Sequence, residues 1–286
     1  MGTGAKKPPQ RAAKATAPEV EELPFLKRVW DQVGPIAIAV LIALAIRAVI
    51  IESYYVPSGS MLSTMLIGDH VFVSKFTYGA RIPIIGATLP AVRDPERGEI
   101  AVFALGRGPG DVICPLDQCP DYAAEGFVKR IVGLPGDTIA FRDGKLILNG
   151  KAMSQRDLKE EFTDERGIKL RTLEEDLDGC HHHVLDMPSM GGLVQEPITV
   201  PVDHYFMMGD NRDNSRDSRA WGTVHRKDLK GPVLINYWSW NNNNSWLAML
   251  NPITWLQLLF GEMRWGRIGM TFSCETDSAS GAQGPE

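Results

Sequence analysis

The sequence predicts a mainly β chain: an antiparallel-sheet catalytic domain with an inserted subdomain, behind one N-terminal transmembrane helix. Three observations carry that expectation. A long apolar run stands near the N-terminus, and beyond it come short runs rich in Val, Ile, Phe and Tyr, each bounded by Gly, Pro or Asp. Between two of those runs lies one strongly charged stretch. Strand never alternates with long helix, which argues against a parallel α/β sheet. For 286 residues, an apolar fraction of 44% and a charged fraction of 23% are those of a globular protein. A net charge of −5 argues against nucleic acid as a partner.

The elements can be taken in chain order. Residues 1–32 read as a basic, largely disordered tail, because large apolar groups are almost absent from the first 22. Residues 33–51, VGPIAIAVLIALAIRAVII, carry a single charge, Arg47. Their length suits a bilayer core of about 30 Å. No small-residue cleavage site follows, so the run reads as a permanent anchor and not as a removable leader. Lys6, Lys7, Arg11, Lys14, Lys27 and Arg28 precede it, which keeps the N-terminus cytoplasmic and puts residues 52–274 across the membrane.

Strands are expected in Asp69–Gly79, Glu99–Leu105, Gly126–Leu134, Asp137–Lys151 and Pro197–Asp210. The segment RDGKLILNGK holds an Asp-Gly and then an Asn-Gly hairpin signal. Residues 150–196, with KEEFTDERGIKLRTLEEDLDG at their heart, read as a solvent-exposed insertion. Residues 246–265 hold three Trp and are interrupted by Asn251 and Pro252, which fits a membrane-associating segment or an aromatic core element. Residues 275–286 read as a disordered tail.

Cys114 and Cys119 flank a turn and are either a small disulfide loop or two free thiols, while the pairing of Cys180 and Cys274 stays open. Cys180 adjoins His181, His182 and His183. Adjacent side chains diverge, and no second ligand cluster has zinc spacing, so this run reads as a polar loop and no metal is expected.

Three stretches carry chemistry. In VPSGSMLSTMLIGD, Pro57 and Gly59 make a tight turn from which the Ser60 hydroxyl can project. In GFVKRIVGLPGD, Lys129 sits in an apolar strand, where alternation puts Lys129 and Arg130 on opposite faces, one toward water and one toward the protein body. A lysine on the inner face loses hydration and shifts toward a neutral base. MGDNRDNSRDSRAWG is dense in Asp and Arg. A calcium loop fails there, because its sixth and twelfth positions are Ser218 and Val224, so a carboxylate–guanidinium network fits better.

PSGSM, KRIVGLPGD and GDNRDNSRDSR, in that order after an N-terminal anchor, resemble the signature boxes of bacterial type I signal peptidases, as does GRIG at Gly266–Gly269. That family usually has Pro where Ser63 stands. The resemblance implies a serine endopeptidase, fixed in the bacterial cell membrane with an extracytoplasmic catalytic domain. It would remove leader peptides from exported precursors after small residues of Ala-x-Ala type, as a monomer and without a cofactor. By position it implies Ser60 as nucleophile, Lys129 as general base, Ser58 as oxyanion donor and Ser215 as the hydroxyl that orients the lysine. It also implies Asp217–Arg219 and Arg130–Asp210 as structural pairs. Val56, Pro57, Met61, Met65, Phe127 and Val128 would wall the substrate pocket. The alternative is a specialised Ser–Lys peptidase for one secreted, pilus or conjugation substrate.

Overall fold

In a computed structural model of the chain, the residues described are 25–79, 87, 89–190, 192–240 and 263–274. The expected tail at 275–286, the Trp-rich segment up to residue 262 and the first 24 residues of the expected tail at 1–32 lie outside them, while residues 25–32 of that tail are helical. The chain divides into two units, Met1–Leu44 and Ala45–Glu286.

The first unit holds most of α1 (Phe25–Val49), a helix that starts and ends earlier than the apolar run suggests. At about 1.5 Å per residue its 25 residues reach roughly 37 Å. Ile36 and Leu41 are 64% and 65% exposed. Among the described residues no helix is long and apolar enough to cross a membrane. Several side chains of α1, Ala45 and Val49 among them, are outside that description.

The second unit is built from β1 (Ile51–Tyr55), β2 (Asp69–Ser74), β3 (Ile100–Gly108), β4 (Val112–Cys114), β5 (Ala123–Gly133), β6 (Thr138–Arg142), β7 (Lys145–Leu148) and β8 (Lys151–Ala152). It continues with β9 (Ser154–Thr163), β10 (Lys169–Asp176), β11 (His181–Asp186), β12 (Gln195–Thr199), β13 (His204–Met208), the short α2 (Ser218–Trp221), β14 (Val224–His225) and β15 (Leu229–Ser239). An eight-stranded antiparallel sheet runs in the order β1-β2-β15-β3-β5-β13-β14, with β4 on β3. A four-stranded sheet, β12-β6-β7-β8, and a three-stranded one, β11-β10-β9, complete the unit.

Sequence chemistry explains the pieces. In β2 the alternation buries Val71 and Val73 and leaves Phe72 partly exposed. Asp143 and Gly144 both have positive φ and join β6 to β7, while Asn149 and Gly150 do the same between β7 and β8. Two successive left-handed residues make the turn that matches the twist of paired strands. Apolar clusters cover both faces of the central sheet: Phe103, Ile131 and Met207 belong to one, and Val71, Val102 and Val233 to another.

The charged stretch at 150–196 is less exposed than its composition suggests. It forms β9-β10-β11, with Leu170 and Leu185 buried against Leu62. The run His181–His183 is not a loop but the start of β11, and only His182 points inward. Disulfides join Cys114 to Cys119 and Cys180 to Cys274. Gly98, at φ +87°, faces the second of these, where a Cβ would overlap both sulfurs.

Candidate active site

β1 ends at Tyr55, and the chain turns through Pro57 into a single 3₁₀ turn, Gly59–Met61. Met61 and Met65 are fully buried in the cluster formed by Val56, Val71 and Val102, so the turn is seated on the core. Its carbonyls are held as well. Asn211 donates its backbone N–H to the Ser60 carbonyl at 3.1 Å and its side-chain amide to the Gly59 carbonyl at 2.9 Å. Ser60 is thereby fixed from both sides while its hydroxyl stays in the cleft.

Lys129 approaches from β5, where it pairs with Ala101 of β3. Its Nζ lies 2.5 Å from Ser60 Oγ and donates to the Val128 carbonyl at 3.0 Å. The side chain is buried at 3% exposure, and burial lowers its pKa to about 8. The carboxylates of Asp217 and Asp210 oppose that fall, and the Arg219 guanidinium adds to it. A lysine so placed is neutral in a large fraction of molecules near pH 8, and a neutral amine accepts a hydroxyl proton.

The alternation of Lys129 and Arg130 does not send either side chain to water. Arg130 is 2% exposed. Its guanidinium donates to both oxygens of Asp210 at 2.9 and 2.7 Å and to the Gly98 carbonyl at 2.7 Å. Both faces of β5 are covered here: the nucleophile turn lies over Lys129, and the Asp210 loop lies over Arg130. Burial of both is satisfied because each polar group has partners. Asp210 accepts a further bond from Thr64 Oγ1 at 2.6 Å, and these donors hold its pKa down to about 2 against the effect of burial.

Asp217 pairs with Arg219 through two bonds of 2.7 Å and accepts the Gly209 N–H at 3.0 Å. It also caps α2. Among the described residues, Ser215 Oγ is buried and meets no hydrogen-bond partner. It packs close to the Ser60 carbonyl across Gly209, where a Cβ would overlap both, so only glycine lets the loop come this near the nucleophile. Ser58 is exposed, with its Oγ 3.5 Å from Ser60 Oγ.

A cleft of about 120 Å³ opens beside the dyad. Val56, Pro57, Met61, Phe127 and Val128 line it, with Tyr54, Tyr55, Arg107 and Glu125. Met65, expected as a wall, lies instead in the core behind it. Sequence reasoning did not single out Asn211 and Thr64. Asn211 sits inside the Met208–Gly222 stretch, directly after Asp210, and that adjacency was the available signal. Among the described residues no group of His, Cys, Asp or Glu is arranged to hold a metal.

Comparison with known proteins gives one family. The profile described as "Signal peptidase, peptidase S26" matches residues 17–238. A "Signal peptidase I" of Pseudomonas fluorescens is 37% identical over 67% of this chain and 63% of its own length. The chain thus spans less than two thirds of that relative. A "Signal peptidase I" of Buchnera aphidicola subsp. Acyrthosiphon pisum is 31% identical over 74% of this chain and 75% of its own. A solved signal peptidase I from Enterococcus faecalis V583 covers 50% of this chain and 98% of its own at 25% identity, with a TM-score of only 0.29.

Proposed function

This chain belongs to the signal peptidase family, peptidase S26, and we propose that it is a membrane-anchored serine endopeptidase that removes leader peptides from exported precursors. One observation supports the chemistry more than any other: a buried lysine amine 2.5 Å from a serine hydroxyl on a fixed turn. Ser60 Oγ attacks the scissile carbonyl while its proton passes to neutral Lys129 Nζ. The oxyanion that forms is met by the Ser60 backbone N–H and the Ser58 hydroxyl. Lys129, now an ammonium, gives its proton to the departing amine as the C–N bond breaks. Water then attacks the acyl ester on Ser60, yielding its proton to Lys129, and the serine and the neutral amine are restored. By its place in the GDNRDNSRDSR stretch we assign Ser215 the orientation of the lysine, a role in which its Oγ must turn about χ1 to reach a partner.

Substrate choice rests on the cleft. The segment before a leader cleavage site is short and extended, with small residues at the first and third positions. Among the described residues β1 pairs only with β2, which leaves its other edge free for an extended peptide. Val56, Met61, Phe127 and Val128 give the cleft apolar walls, which suit small apolar side chains such as Ala. Anchoring rests on the apolar run of the sequence at 33–51, with Lys27 and Arg28 before it giving a cytoplasmic N-terminus. Exported precursors and the lipid bilayer are then its partners, and the catalytic unit works as a monomer on the outer face of the bacterial cell membrane. Cleavage of an Ala-x-Ala precursor peptide in detergent by the wild type, and its loss in Ser60→Ala, tests this reading. An active Ser60→Ala would overturn it.

A further inference from the structure

The catalytic chemistry makes no use of the insertion, yet a buried ion pair joins it to the loop that holds the nucleophile. Glu175 of β10 is fully buried. Its carboxylate accepts two bonds from Arg212, one of them 2.9 Å, and one from Gln155 Nε2 at 2.9 Å. Burial raises the Glu175 pKa, but the guanidinium dominates and holds it below the usual carboxylate range. The neighbouring His182, 3.6 Å away, is pushed down to about 4 by burial and is neutral at physiological pH. Arg212 is therefore the cation that balances Glu175.

Arg212 directly follows Asn211, whose backbone and side chain clamp the Ser60 and Gly59 carbonyls. The insertion grips the same loop a second time. Leu185 of β11 donates its N–H to the Asp210 carbonyl at 2.8 Å and bridges Asn211 in parallel. A buried pair is poor evidence for stability, because desolvation consumes most of its Coulomb gain, but it fixes direction and spacing. We propose that Glu175 is a positioning residue: through Arg212 it sets the placement of Asn211, and so the height of the Ser60 turn over Lys129. The insertion thereby becomes part of the catalytic apparatus and not a solvated ornament. This inference rests on Ser60 being the nucleophile.

The test uses the full chain in detergent, comparing Glu175→Gln with the double variant Glu175→Met/Arg212→Met. Replacing both charges with apolar groups of similar volume removes the cost of an unpaired ion, so the double variant should keep the wild-type melting temperature or exceed it. If the pair positions Ser60, both variants lose kcat by about tenfold to a hundredfold with KM within about twofold. The Asn211 amide should also exchange with deuterated solvent faster, while the β3–β5 amides do not change. A double variant with wild-type kcat and wild-type Asn211 protection overturns the proposal and leaves the pair as packing alone. The exchange measurement needs no substrate. Should the wild type fail to cut leader peptides, that failure falls on the proposed function, and the Asn211 amide still decides the positioning role.

Discussion

Lys129 Nζ and Ser60 Oγ stand 2.5 Å apart although one is at the middle of a central strand and the other on a turn after the edge strand. The lysine cannot leave, because β5 is paired on both sides by β3 and β13. The serine cannot leave, because Asn211 holds the carbonyls of its turn. A hydroxyl and an amine fixed in this way pay little entropy at the moment of proton transfer.

Ser58 is the side-chain candidate for the oxyanion site. Ser58→Ala should lower kcat by about 10²–10³ with KM little changed, as expected for loss of one preorganised donor. Steady-state cleavage of a precursor peptide measures both constants. An unchanged kcat with a raised KM would make Ser58 a binding residue only.

Holding Lys129 neutral costs stability. Its folded pKa of about 8 lies below the ordinary 10.5, so the unfolded chain binds the proton more readily. Stability is lost as pH falls from the unfolded value to the folded one and stays lost below about 8. The shift corresponds to a penalty on the order of 3 kcal/mol. Lys129→Met should therefore be inactive yet more stable than the wild type at pH 7, with the gain shrinking as pH rises from about 8 to 10.5. Urea unfolding at pH 7 and across that range checks this, and an equally stable or weaker variant at pH 7 would contradict it.

The two disulfides should differ in weight. Cys180–Cys274 closes a sequence separation of 94 residues, and Cys114–Cys119 one of 5. Chain entropy assigns about 4.7 kcal/mol to the first and about 2 kcal/mol to the second. Paired Cys→Ala variants compared by thermal melting should reproduce that order. A larger loss at Cys114–Cys119 would show that native contacts, not the unfolded chain, set the difference.

Much of this was legible in the sequence, for reasons that can be named. The runs at Asp69–Gly79, Glu99–Leu105 and Gly126–Leu134 hold β2, β3 and β5, because apolar alternation and glycine punctuation are local signals. Asp143-Gly144 and Asn149-Gly150 are local in the same sense. The three-stranded insertion was hidden because its buried positions, such as Leu170 and Leu185, are diluted among Glu, Asp, Arg and Lys. The simultaneous burial of Lys129 and Arg130 depends on what covers each face of β5, which no pattern within β5 reveals. The partners Glu175–Arg212 and Asn211–Ser60 join residues far apart in the chain, so composition and spacing were silent on them.

The most direct measurement is the pH dependence of kcat/KM for precursor cleavage by the wild type and by single replacements of the histidines. With Lys129 as the base, activity rises with pH through an acid limb centred near its folded pKa of about 8, since the protonated amine cannot take the Ser60 proton. His182, held down to about 4, does not titrate in that range. Replacing His70, His181, His182, His183, His204 or His225 should leave the limb in place, and Lys129→Arg should abolish turnover. A limb near pH 6.5 that moves with one histidine replacement, together with an active Lys129→Arg, would contradict the lysine as base.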